Sequence, residues 1–127
     1  TGKKIDARAR KFLNKSNLDY AHGTGHGVGF FLNVHEGPQA ITKINSIKIR
    51  EGMILSNEPG YYQKGKFGIR IENLVFVKKD KNKIFFENLT LAPIEKDLIN
   101  YNLLTCLRHK CWHRYPIHRW AITKHLA

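Results

Sequence analysis

Apolar and polar positions first fall into a helical rhythm over residues 3–15. Ile5, Ala9, Phe12 and Leu13 share one face, which predicts a helix with Arg8, Arg10 and Lys11 turned outward. Asn17 to Tyr20 leads out of it. A glycine-rich stretch then enters an extended segment, Phe30-Phe31-Leu32-Asn33-Val34, ended by Gly37-Pro38. Residues 39–52 place Ile41, Ile44, Ile47 and Ile49 at apolar positions and read as loop with short strand. Met53 to Gly60 reads as a buried strand closed by a Pro-Gly turn. Gly68 to Val77 is the clearest strand. It puts Ile69, Ile71, Asn73, Val75 and Val77 on one face and Arg70, Glu72, Leu74 and Phe76 on the other. Asp80-Lys81-Asn82-Lys83 is a polar turn, and Ile84-Phe85-Phe86 returns as the second arm of a hairpin. There is no internal repeat.

Composition bounds the class. At 127 residues and 42% hydrophobic, the chain has the size of one domain and could bury a core. No run approaches the roughly 18–20 apolar residues that span a bilayer, so no membrane partner is expected. Thr1-Gly2-Lys3-Lys4 carries no apolar leader and no initiator Met, which predicts a cytoplasmic, processed or fragmentary chain. The net charge of +12 first suggests nucleic acid. Its distribution argues against that reading. Residues 1–105 hold 17 basic and 10 acidic residues, whereas residues 106–127 hold five basic and none acidic. Lys78, Lys79, Lys81 and Lys83 suit a solvated hairpin tip. Cys106 and Cys111 both lie in the last 22 residues, with His113 and His118, at a spacing unlike that of zinc fingers. That tail has both tryptophans, no glycine and no periodicity.

The chemistry concentrates in His22-Gly-Thr-Gly-His26-Gly-Val-Gly, followed by His35-Glu36-Gly37-Pro38. Gly23, Gly25, Gly27 and Gly29 remove side-chain bulk and permit φ > 0, so backbone can approach a ligand. Neutral imidazole is a common metal ligand and proton shuttle. Two glutamates add to it. Glu58 follows an apolar strand, and Glu72 lies inside an alternating one, where a buried carboxylate needs a partner or a metal. An ion pair with Arg70 is the simpler explanation of Glu72, and a loop histidine the simpler explanation of His26. A mixed His/carboxylate set suits Mn, Fe, Co or Zn.

These strings resemble the Xaa-Pro aminopeptidases, the pita-bread metallopeptidases related to methionine aminopeptidase and creatinase. Asn33-Val-His35-Glu-Gly-Pro38, Ser56-Asn-Glu58-Pro-Gly-Tyr-Tyr62 and Phe67-Gly-Ile-Arg70-Ile-Glu72-Asn match that family's motifs in order, over roughly residues 1–105. The resemblance implies an α+β fold, half of a pita-bread domain with a mostly antiparallel curved sheet and packed helices. It implies a dinuclear centre (Mn first, with Co or Zn as alternatives) that hydrolyses the bond before a proline in the second position of a peptide. His26 resembles the single histidine ligand. Glu58 resembles a carboxylate ligand that also handles the proton of the attacking water. Glu72 resembles the carboxylate bridging both metals. His35 resembles the residue steadying the scissile carbonyl, His22 a pocket histidine, and Arg70 an orienter of carboxylates.

The family also draws two aspartate ligands from the first half of its catalytic domain. Asp6, Asp19, Asp80 and Asp97 match neither. The chain alone is therefore expected to bind metal weakly, to show little peptidase activity, and to expose apolar faces that favour self-association or a complementary N-terminal half. Residues 106–127 depart from the family's acidic ending, as a shifted reading frame after Thr105 would produce. A basic nucleic-acid-binding module is the alternative from a different class.

Overall fold

The computed structural model describes residues 1–31, 33–81, 83–92 and 97. Residues 1–89 form one compact unit; residues 90–127 form a second, of which only Thr90, Leu91, Ala92 and Asp97 are described. The two cysteines, the basic tail and the boundary drawn at residue 105 lie outside the described residues.

The first unit begins with helix α1 (Gly2–Asn14). Its first amides are met by a loop: Gly2 N–H donates to Ile47 O and Lys3 N–H to Asn45 O. It ends where Asn17 takes the left-handed conformation (φ 55°) and Leu18 N–H returns to Leu13 O. Short strands β1 (Gly25–His26) and β2 (Ala40–Ile41) pair antiparallel. Strands β3 (Ile54–Asn57), β6 (Asn73–Asp80) and β7 (Lys83–Asn88) form an antiparallel sheet in the order β3-β6-β7. Strands β4 (Gly60–Gln63) and β5 (Phe67–Arg70) form a separate hairpin. Gly65 (φ 73°) turns that hairpin, where a side chain would be strained.

The core is Ile41, Ile49, Leu55, Val75 and Val77, with Ile5 and Met53 packed against it. Val75 and Val77 alternate on β6, and Val75 stands opposite Leu55 of β3. The hairpin expected at residues 80–83 is present, with β7 as its second arm.

Three expectations are corrected. The stretch from Phe30 to Val34, expected to be extended, bends at Phe30, Phe31 and Val34, and these three side chains are exposed. The single strand read over Gly68–Val77 is two. Strand β5 pairs back onto β4, whereas β6 pairs onto β3, so the chain changes partners at Ile71 and Glu72. Both pieces are extended, so the alternation ran through the break unmarked. Finally, Arg10 points inward: it and Asp6 are buried, while Phe12 is 72% exposed. An amphipathic face assigned from hydrophobicity misses a cation whose acceptors lie inside the fold.

Those acceptors form a network. Arg10 Nε donates to Asp6 Oδ2 at 2.9 Å, and its amino groups reach Asp19, Tyr20 O and His22 O. The guanidinium carbon also lies 3.8 Å from the Tyr20 ring centroid. Thr24 Oγ1 donates to Asp6 Oδ1 at 2.7 Å, completing a buried tie between α1 and the glycine-rich segment.

Phe12, Ile5, Ile84, Phe85 and Phe86 line an open groove of about 550 Å³ between α1 and β7. Among the described residues no helix is long and apolar enough to cross a membrane.

Candidate metal centre

The glycine-rich segment lies along β3. Glu58 N–H donates to Thr24 O at 2.7 Å and Val28 N–H to Ile54 O at 3.2 Å, with a bridge between Gly27 and Leu55. Such close packing has a steric requirement. A Cβ on Gly25 would stand 2.0 Å from the Ser56 carbonyl oxygen, and one on Gly27 would stand 2.0 Å from that of Glu36. Gly23, Gly25, Gly27 and Gly29 therefore serve by lack of bulk. Positive φ, the other reason given for them, occurs among described glycines only at Gly52 and Gly65.

This packing brings His26 of β1 beside Glu58, which follows β3. The His26 ring nitrogens have different surroundings. Nδ1 lies 2.8 Å from Gly27 O; a carbonyl oxygen only accepts, so Nδ1 carries the proton. In the neutral ring Nε2 then presents a lone pair, 3.4 Å from Glu58 Oε1. Two acceptors facing each other at that range call for a proton or a cation between them.

The surrounding groups extend the site. Glu36 N–H donates to Gly27 O, and the His35 ring lies 4.0 Å from that of His26 between centroids. Arg70, at the end of β5, places Nη1 3.5 Å from Glu58 Oε2 and Nε 3.5 Å from Glu72 Oε2. The Arg70–Glu72 approach is the ion pair expected for Glu72 from the sequence. Glu72 is corrected from buried to exposed, with 44% of its side chain accessible against 13% for Glu58. His22 stands apart from this trio. Its Nδ1 donates to Gly23 O, and Nε2 accepts from the Tyr62 hydroxyl at 2.7 Å.

The donor types suit a divalent first-row ion. The donor number falls short: among the described residues no group of three or more His, Cys, Asp or Glu side chains is placed to hold one. His26 and Glu58 converge directly, and Glu72 joins them through Arg70.

Sequence reasoning passed over three residues that the geometry brings in. Ser56 and Tyr62 stand inside the very motif that marked Glu58. For Arg10 the one local signal was Asp6 a helical turn earlier, because two of its other acceptors are backbone carbonyls.

Asp19 supplies a pH-dependent link. Hydrogen bonds from Lys43 and then Arg10 hold its carboxyl well below the ordinary carboxylate range. A depressed carboxyl contributes stability that is fully present above its unfolded pKa of about 4 and is lost as pH falls below it. Asp19→Asn is thus expected to cost up to about 1 kcal/mol at pH 7, the upper end for an accessible pair. The difference from the parent should shrink below pH 4. Urea melts at pH 7 and pH 3 measure it; an equal difference at both would refute the link.

Comparison with known proteins gives the context. The model of metallopeptidase family M24 matches residues 1–79. A probable Xaa-Pro aminopeptidase P of Laccaria bicolor is 48% identical over 131 residues, covering 94% of this chain and 20% of its own length. Xaa-Pro aminopeptidase 1 of Dictyostelium discoideum is 52% identical over 113 residues, covering 82% and 18%. The crystal structure of X-prolyl aminopeptidase from Caenorhabditis elegans, described as a cytosolic enzyme with a di-nuclear active site, superposes with a TM-score of 0.78 at 39% identity. It covers 90% of this chain and 19% of that one. The chain spans about a fifth of the length of these relatives. Its antiparallel sheets and helix are part of the pita-bread fold, and the chain belongs to metallopeptidase family M24, on its Xaa-Pro aminopeptidase branch.

Proposed function

We propose that this segment supplies three ligands, His26, Glu58 and Glu72, to the dinuclear centre of a peptidase that removes the first residue from peptides with proline second. The observation that carries the reading is the His26 Nε2 lone pair facing Glu58 Oε1 at 3.4 Å, with the opposite ring nitrogen tied to Gly27 O. The segment is read as residues 1–105, with 106–127 as an atypical tail. The remaining ligands, two aspartates in the family, belong to a part of the catalytic domain outside this segment. The ions are read as Mn, with Co or Zn as alternatives, and the compartment as the cytosol described for the nematode relative.

When bound, two divalent ions would acidify a water and polarise the scissile carbonyl. With the ions in place, Glu58 would be the carboxylate that takes up the water's proton and returns it to the leaving nitrogen. His35, its ring tilted 42° to that of His26 at 4.0 Å, would donate to the carbonyl oxygen. His22, held by Tyr62, lines the substrate side. Arg70 orients both carboxylates.

The segment alone is read as inactive, because its donors fall short of an ion's needs. The exposed Phe12, Phe30, Phe31 and Ile44 support a covering partner, either the aspartate-bearing half on another polypeptide or a second copy. The test is release of arginine from Arg-Pro-Pro with Mn²⁺. Turnover is expected only when the chain is co-expressed with the aspartate-bearing half of a relative. Robust turnover by the chain alone would overturn the claim of inactivity. No turnover from a folded co-expressed pair would overturn the peptidase reading.

A further inference from the structure

We propose that Ser56 is a positioning residue whose hydroxyl fixes the Glu58 carboxylate against His26. The inference rests on the reading of those two residues as the site. The Ser56 hydroxyl is fully buried and uses both of its hydrogen-bonding capacities. It accepts from His26 N–H at 2.9 Å and donates to Glu58 Oε1 at 2.8 Å. The direction is fixed by chemistry: an amide N–H only donates and a carboxylate only accepts. One oxygen therefore joins the backbone of the histidine to the side chain of the glutamate. The oxygen of Glu58 that it holds is the one facing His26 Nε2.

Ser56 suits this role better than Arg70, the other group on Glu58. The serine Oγ has one rotatable bond, so its place follows from the β3 backbone. That backbone is paired with β6, Ser56 opposite Leu74. Arg70 is 47% accessible in its side chain, has a long flexible stem and stands 3.5 Å from the other carboxylate oxygen. Solvated pairs of that kind are weak. A buried hydrogen bond to a charged acceptor is stronger and more directional. Ser56 therefore sets the Glu58 rotamer, and Arg70 neutralises its outer oxygen.

The test uses the whole chain, labelled for NMR and free of metal. In the parent, Glu58 should show one χ1 rotamer in its three-bond couplings, and the His26 amide should exchange slowly. Ser56→Ala should average the Glu58 couplings and speed His26 exchange about tenfold, the size expected for losing one such bond. The amides of Val75 and Val77 should not change. Ser56→Thr, which keeps the hydroxyl, should restore both. Ser56→Cys keeps the bulk with a poor donor, so it serves if the alanine variant does not fold, and it should behave as alanine does. A single Glu58 rotamer and unchanged His26 exchange in the alanine or cysteine variant would overturn the proposal. Mn²⁺ titration of the chain co-expressed with the aspartate-bearing half of a relative, followed by EPR, tests the underlying site separately. Ser56→Ala should weaken uptake about tenfold relative to the parent, the lower end for an outer-shell partner. If the parent pair takes up no Mn²⁺, the metal reading of this segment falls, while the couplings and exchange rates of the chain still decide the role of Ser56.

Discussion

Replacing Arg10 with methionine is expected to leave the chain largely unfolded at 25 °C. Methionine keeps much of the aliphatic stem and removes only the guanidinium. What remains is Asp6, buried to 1% exposure, without its cation. The carbonyls of Tyr20 and His22 also lose their donor, and the Tyr20 ring loses its cation. Removing one partner from a buried pair costs about 3–5 kcal/mol, because the other charge is left uncompensated. A domain's whole stability is about 5–15 kcal/mol. This unit exposes Phe12, Phe30, Phe31 and Ile44, so its own stability belongs at the low end of that range. Arg10→Lys should not rescue it, since one ammonium cannot address two carboxylates and two carbonyls in different directions. Adding Asp6→Asn to Arg10→Met should recover part of the loss by removing the stranded charge. Circular-dichroism melts decide the matter: a folded Arg10→Met chain melting within 3 °C of the parent would refute it.

The same residue marks what the sequence could and could not reveal. The hairpin between β6 and β7, the strand before Glu58 and the helix at the start were legible, because each is encoded by local rhythm. Val75 and Val77 alternate, and Ile5 and Ala9 recur at helical spacing. Arg10 was placed outside because, Asp6 one helical turn earlier apart, its stabilising partners are not neighbours in sequence. Asp19, Tyr20 and His22 are nine to twelve residues away, and two of the acceptors are backbone carbonyls, which no residue pattern records. The division between β5 and β6 was invisible for a related reason. Both strands are extended and alternate, and only their pairing partners differ. The candidate site was legible in residue types and motifs rather than in rhythm. The glycine-spaced histidines and the strand glutamates Glu58 and Glu72 stood out in the sequence, the roles of His22, His35 and Arg70 came from the family resemblance, and His26, His35, Glu58, Arg70 and Glu72 lie linked in one region. The groups that hold them in place, Ser56 above all, looked like ordinary strand residues.

Gly25→Ala is expected to be the most damaging of the glycine-to-alanine changes in the histidine-bearing segment, at about 3 kcal/mol, the upper end for overpacking. The added methyl would meet the Ser56 carbonyl oxygen at 2.0 Å and its carbon at 2.9 Å. Both are backbone atoms of a strand paired with β6, so no side-chain rotation relieves the clash. The two segments must move apart by more than 1 Å to reach ordinary contact, roughly 3.5 Å between carbon atoms. They are joined by Glu58 N–H to Thr24 O on one side and His26 N–H to Ser56 Oγ on the other, so separation strains both bonds. Gly37→Ala is the control. A Cβ there meets nothing within 4 Å, and the change should stay within about 0.5 kcal/mol. Urea melts of the two variants measure the contrast, and equal midpoints would refute it. A double variant separates this effect from loss of the serine hydroxyl. The clash is with the Ser56 carbonyl and not with its side chain, so Ser56→Ala should not relieve it. The cost of Gly25→Ala should therefore persist in the Ser56→Ala background, because β1 must approach β3 closely before any side chain can join His26 to Glu58.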